Sequence, residues 1–143
     1  MNNTNSYSDR QSVIDIGEQM FLDWATKKNW TVNRIGFDSK NDSVPNFFRL
    51  NQVIRNLPDF ILNTESKTYV VNVKGTLNIK LKEINMLDKL IEAYSSSTAP
   101  LIYAFCLKGQ EPILMSTETL QSRFNLAENK TWHDGVVYRT IST

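Results

Sequence analysis

At 143 residues the chain is long enough for one domain built around a single core. An apolar fraction of 41% and a charged fraction of 22% are ordinary for a soluble globular protein, and no apolar run approaches the roughly 18 residues of a membrane span. A net charge of +1 with no long basic block argues against non-specific coating of nucleic acid while allowing a local basic patch, and a lone cysteine excludes an internal disulfide or a zinc-finger spacing.

Residues 1–8 are polar, lack an apolar signal core and are expected to be a flexible N-terminus, which makes a cytoplasmic location the default. Residues 9–143 are expected to form the single domain. Ser8 or Asp9 can cap a helix reaching about Lys28, with Val13, Ile14, Gly17, Met20, Phe21 and Trp24 on one apolar face and Glu18 at its flank. Asn29-Trp30 ends it, and residues 31–37 read as a strand. Asp38 to Ser43 is a polar loop, and Pro45 opens a short helix through Arg55 that Asn56-Leu57-Pro58 stops. Residues 59–62 and the β-branched run 68–74 make a hairpin around a turn at 63–67.

Leu77 to Tyr94 reads as a second long helix, with Ile84, Leu87, Ile91 and Tyr94 on one face. The continuous apolar run Leu101 to Leu107 predicts a central strand covered on both faces, with Cys106 as a core residue. A short strand at 113–115, a helix capped by Ser116 or Thr117 and reaching about Phe124, and a last strand at 136–141 after an Asp134-Gly135 turn complete the chain. The order predicts a mixed sheet with helices on both faces. His133 belongs to the turn, and Trp24 and Trp30 to the core or its edge.

The residues with chemistry cluster in the hairpin. Leu57-Pro58-Asp59 precedes one strand, and Val70-Val71-Asn72-Val73-Lys74-Gly75-Thr76 forms and ends the next. Adjacent strands place Asp59, Asn72 and Lys74 at one end of the sheet, with Glu18 on the first helix as a fourth member. An acid and a lysine meeting there can hold a divalent cation and a phosphate. Phosphodiester hydrolysis needs a metal to polarise the phosphate and activate water, and magnesium takes oxygen ligands from one or two carboxylates. Asp59, the carbonyl of Val73 and Glu18 are the candidate ligands. Lys74 is the candidate for neutralising charge in the transition state. Asn72 and Lys74 share one strand face, which sends Val71 and Val73 to the core. Arg49, Gln52 and Arg55, beside Phe47 and Phe48, suit phosphate or base-edge contacts. Each residue also has an ordinary reading. Asp59 can be a turn acid after proline, Glu18 a solvated helix acid, Lys74 a strand end and Asn72 an outward polar residue. The arginines can be exposed on a packed helix.

Ile16-Gly17-Glu18, Pro58-Asp59 and Asn72-Val73-Lys74-Gly75-Thr76, in this element order, resemble the PD-(D/E)XK nuclease superfamily, which includes restriction enzymes, small homing endonucleases and junction resolvases. The resemblance implies a restriction endonuclease-like α/β fold, a mixed β-sheet of four to five strands flanked by helices on an α-β-β-β-α-β core. It implies a metal-dependent endonuclease acting on DNA phosphodiesters with Mg2+ or Mn2+. It also implies double-stranded DNA as partner, a homodimer or higher homo-oligomer, and catalytic roles for Glu18, Asp59 and Lys74. Asn72 departs from the pattern, since the family has an acid there. Some restriction enzymes of the superfamily carry that acid on the following helix, at the position of Asp88, with Glu83 and Glu92 as fallbacks. The alternative is a catalytically degenerate nuclease-like domain that binds nucleic acid or assembles with protein. Nothing in these residues discriminates DNA from RNA.

Overall fold

The computed structural model describes the backbone of residues 7–35, 58–94 and 99–143, and the side chains of 16–35, 58–92 and 99–143. The polar loop from Asp38, the short helix from Pro45 and with it Arg49, Gln52 and Arg55 lie outside the described residues. So do residues 1–6.

Helix α1 runs Tyr7–Lys27, starting slightly ahead of Asp9. It ends where Asn29 adopts φ 60° and the Trp30 N–H donates to the Ala25 carbonyl at 3.0 Å. Asparagine tolerates this left-handed conformation, so Asn29-Trp30 is a stop written in local chemistry. Strands β1 (Thr31–Arg34), β2 (Phe60–Asn63) and β3 (Thr68–Lys74) follow. They pair antiparallel in sequence, with Arg34 opposite Phe60 and Phe60 opposite Val71.

After β3 come β4 (Asn78–Lys80), helix α2 (Leu81–Tyr94) and strand β5 (Leu101–Phe105), which pairs parallel to β3. Parallel strands require such a crossover, and α2 provides it. Strand β6 (Ile113–Ser116) pairs antiparallel to β5 and leads into α3 (Thr117–Leu126). Ser116 is the N-cap, its hydroxyl accepting from the Thr119 N–H at 3.1 Å. Strands β7 (Lys130–Thr131) and β8 (Val137–Thr140) close around Gly135, whose φ of 83° suits the expected Asp-Gly turn.

The result is mixed α/β: a five-stranded sheet in the order β1-β2-β3-β5-β6, flanked by helices, as the resemblance implied. A second sheet, β4-β8-β7, was not expected. Residues 78–80 lie within the expected helix from Leu77, and three residues are too few for a period-2 pattern to register. The last strand belongs to this small sheet.

Strand β5 is buried along its whole length. Leu101, Tyr103 and Phe105 join the core on the α2–α3 side with Leu87, Leu90, Leu120 and Phe124. Ile102, Ala104 and Cys106 join the core on the α1 side with Phe21, Ala25, Phe60, Val71 and Val73. Two covered faces explain why the sequence is apolar without alternation. Cys106 is a core residue as expected, its thiol pushed up to about 12 by burial. Phe21 stacks on Phe60 with centroids 5.7 Å apart, docking α1 onto β2. Among the described residues no helix is long and apolar enough to cross a membrane.

Candidate functional site

Asp59 sits one residue ahead of β2, where three chain segments meet. Its N–H donates to the Val71 carbonyl and its carbonyl accepts from the Ile35 N–H, both at 3.0 Å. These bonds fix the backbone and leave the side chain to project past the end of β2. There its Oδ2 accepts from the Val73 N–H at 2.8 Å. Alternation along β3 turns the Val73 carbonyl to the same side as its N–H, so that oxygen also faces Asp59.

Glu18 reaches this region because α1 crosses β3 at glycines. Gly17 is buried, and a Cβ added to it would lie 3.1 Å from the Cα of Gly75. Any side chain would hold the helix further from the strand. The next residue, Glu18, accepts from Arg34 Nη2 at 2.7 Å.

Lys74 is on the opposite face of β3, toward α2. Its Nζ lies 2.8 and 3.1 Å from the two carboxylate oxygens of Glu83, in the first turn of α2. Both side chains are mostly buried. Asn72 shares this face, and its side chain lies beside the Tyr103 hydroxyl. The expected parity therefore holds, with Val71 and Val73 in the core. The polar face of β3 is not open, however, because Tyr103 and α2 cover it.

Asp59 is the electrostatic centre of the arrangement. Burial pushes its carboxyl up to about 7, and Glu18 pushes in the same direction. The Val73 N–H, Lys74 and Arg34 oppose the rise. Burial also raises the Tyr103 phenol, with Glu83 and Asp59 adding to the effect. Among the described residues Arg34 pairs with Glu18 and Lys74 with Glu83, and both cations act on Asp59. Within this set of described residues, three acids and two cations, an ionised Asp59 leaves one negative charge in excess.

That excess is what a hard cation relieves. Two carboxylates, Glu18 and Asp59, and the Val73 carbonyl are a donor set that magnesium or manganese accepts with retained waters. Among the described residues no group of three or more His, Cys, Asp or Glu side chains gathers as a metal cluster. The residues fit a cation held partly by water.

Asp88 lies elsewhere. It is exposed on α2 and accepts from Gln121 of α3 at 3.1 Å. The helix acid that meets Lys74 is Glu83, one of the two fallbacks. Sequence reasoning also missed Arg34 and Tyr103. Arg34 has no motif around it, and Tyr103 is hidden in an apolar run. Gly17 carried a readable signal, because glycine on the apolar face of a helix marks close approach.

No protein-family model and no curated protein matches the chain. Among solved structures it is similar to Archaeoglobus fulgidus Hjc, a Holliday junction resolvase from an archaeal hyperthermophile, at 14% identity and a TM-score of 0.47 over 87% of this chain and 85% of that chain.

Proposed function

We propose that this domain is a metal-dependent nuclease that hydrolyses phosphodiester bonds, with DNA as substrate. The observation that carries the reading is the Asp59 carboxylate, fixed by the Val73 N–H at the end of the sheet with Glu18 and Lys74 as its charged neighbours.

Asp59, Glu18 and the Val73 carbonyl would hold a magnesium or manganese ion. Such an ion, when bound, polarises a phosphate and lowers the pKa of a water molecule. Asp59 must lose its proton to act as a ligand, so cation binding should strengthen as pH rises toward 7, the cation itself drawing the titration lower. Lys74 would neutralise charge that develops on the phosphate, its ammonium held in place by Glu83 until substrate arrives. Asn72 contributes no charge. Glu83 supplies an acid on the Lys74 side of the strand, whereas Asp88 faces α3. Arg49, Gln52 and Arg55 remain proposed nucleic-acid contacts, and a homodimer that cuts two strands remains the proposed assembly.

A plasmid-nicking assay with Mg2+ and Mn2+ tests the reading. Wild-type chain should nick, Asp59→Ala should not, and calorimetry should show divalent binding lost in the variant. Equal cation binding by wild type and Asp59→Ala would remove Asp59 from the site. One observation favours a second reading, a domain that binds nucleic acid without cleaving it: Asn72 stands where the family carries an acid and Lys74 is engaged by Glu83. If the site lacks only that charge, Asn72→Glu should strengthen cation binding and raise cleavage. No cleavage by either chain, with nucleic acid still bound, would establish the second reading.

A further inference from the structure

One cation beside the candidate carboxylates has no task in the cleavage scheme. Arg34 ends β1, the edge strand of the main sheet, and pairs with Phe60 next to Asp59. Its guanidinium carbon lies 4.8 Å from the centroid of the Phe60 ring, and Nη2 donates to Glu18 at 2.7 Å. The Arg34 side chain is 51% exposed, the Glu18 side chain only 14%. Among the described residues Glu18 is the carboxylate that engages Nη2, and a guanidinium carries five N–H donors in all.

We infer that Arg34 and a divalent cation compete for Glu18, and that arrival of the cation frees Arg34 to hold a nucleic-acid phosphate at the sheet edge. The inference rests on the metal reading above and assigns Arg34 a role within it. Glu18 adjoins both Asp59 and Arg34, so one carboxylate has two possible cationic partners. Exchange costs little on the Arg34 side, because a half-exposed guanidinium is readily rehydrated. The charges also balance. A divalent ion offsets Glu18 and Asp59 together, so the Arg34 charge becomes available. A guanidinium over an aromatic ring is pre-oriented, and its planar fork matches two phosphate oxygens.

Calorimetric titration of the full chain with Mg2+, without nucleic acid, tests the competition. Arg34→Gln should bind the ion about fivefold more tightly than wild type, the size of an exposed ion pair. Fluorescence anisotropy with a labelled DNA duplex in EDTA tests the release. Glu18→Gln should free Arg34 without metal and bind duplex about fivefold more tightly. The gain should vanish in the Glu18→Gln/Arg34→Gln double variant, whereas mere removal of a negative charge would preserve it. Equal Mg2+ affinity in wild type and Arg34→Gln, or a gain that survives in the double variant, would overturn the exchange and leave the metal site standing. Absence of Mg2+ binding in every chain would overturn the metal reading and the exchange with it.

Discussion

Replacing Asp59 by asparagine should stabilise the metal-free protein at high pH, which is the reverse of what loss of a helpful charge would do. Asparagine keeps an oxygen for the Val73 N–H and stands in for the protonated acid. The Asp59 pKa is raised from 3.8 to about 7 on folding, chiefly by burial. A raised pKa means that the folded state binds the proton more tightly than the unfolded state. Its contribution is therefore fully present below the unfolded value and is lost as pH rises through the folded one. The rise from 3.8 to about 7 corresponds to about 4 kcal/mol of proton-binding free energy. Urea unfolding in EDTA between pH 4 and pH 8 measures it. The two chains should be equally stable near pH 4, and Asp59→Asn should gain up to about 4 kcal/mol by pH 8. Saturating Mg2+ should restore much of the wild-type deficit, because a ligand that binds the ionised folded state adds its binding energy. A stability difference that does not change with pH would refute the argument that Asp59 is a partly buried acid whose desolvation outweighs its partners.

Gly17→Ala should destabilise the fold by about 1–3 kcal/mol in urea unfolding, because the new Cβ meets the Gly75 backbone at 3.1 Å. The same change in an open helix would stabilise by about 0.5–1 kcal/mol, so the sign alone tests the helix–strand contact. Lys74→Met should slow single-turnover cleavage by about 2 kcal/mol or more in barrier terms with little change in duplex affinity. A loss of affinity of the same size would make Lys74 a binding residue instead. Asp88→Ala should leave nicking rates unchanged while Glu83→Gln lowers them, since Glu83 meets Lys74 and Asp88 meets Gln121. The opposite result would restore Asp88 as the displaced acid.

Local chemistry was legible in the sequence. The Asn29 stop, the Ser116 cap and the Asp134-Gly135 turn depend on residues a few positions apart, and each appears in the structure. The β3 hairpin and the doubly covered β5 were equally plain, because β-branched and continuous apolar runs state their own burial. Asp59 at the start of β2 followed from proline ahead of an apolar run. The sequence could not show which charges meet, since ion pairs join residues far apart along the chain. Arg34 meets Glu18 across α1 and the edge strand, Lys74 meets Glu83 across β3 and α2, and Tyr103 enters from the neighbouring strand β5. Spacing along the chain put Asp88 first, with Glu83 as a fallback. The docking of α2 against β3 and α3 separated them, placing Glu83 against Lys74 and Asp88 against Gln121. The elevated pKa of Asp59 is likewise a property of the packed state, because desolvation in the folded chain is its largest cause.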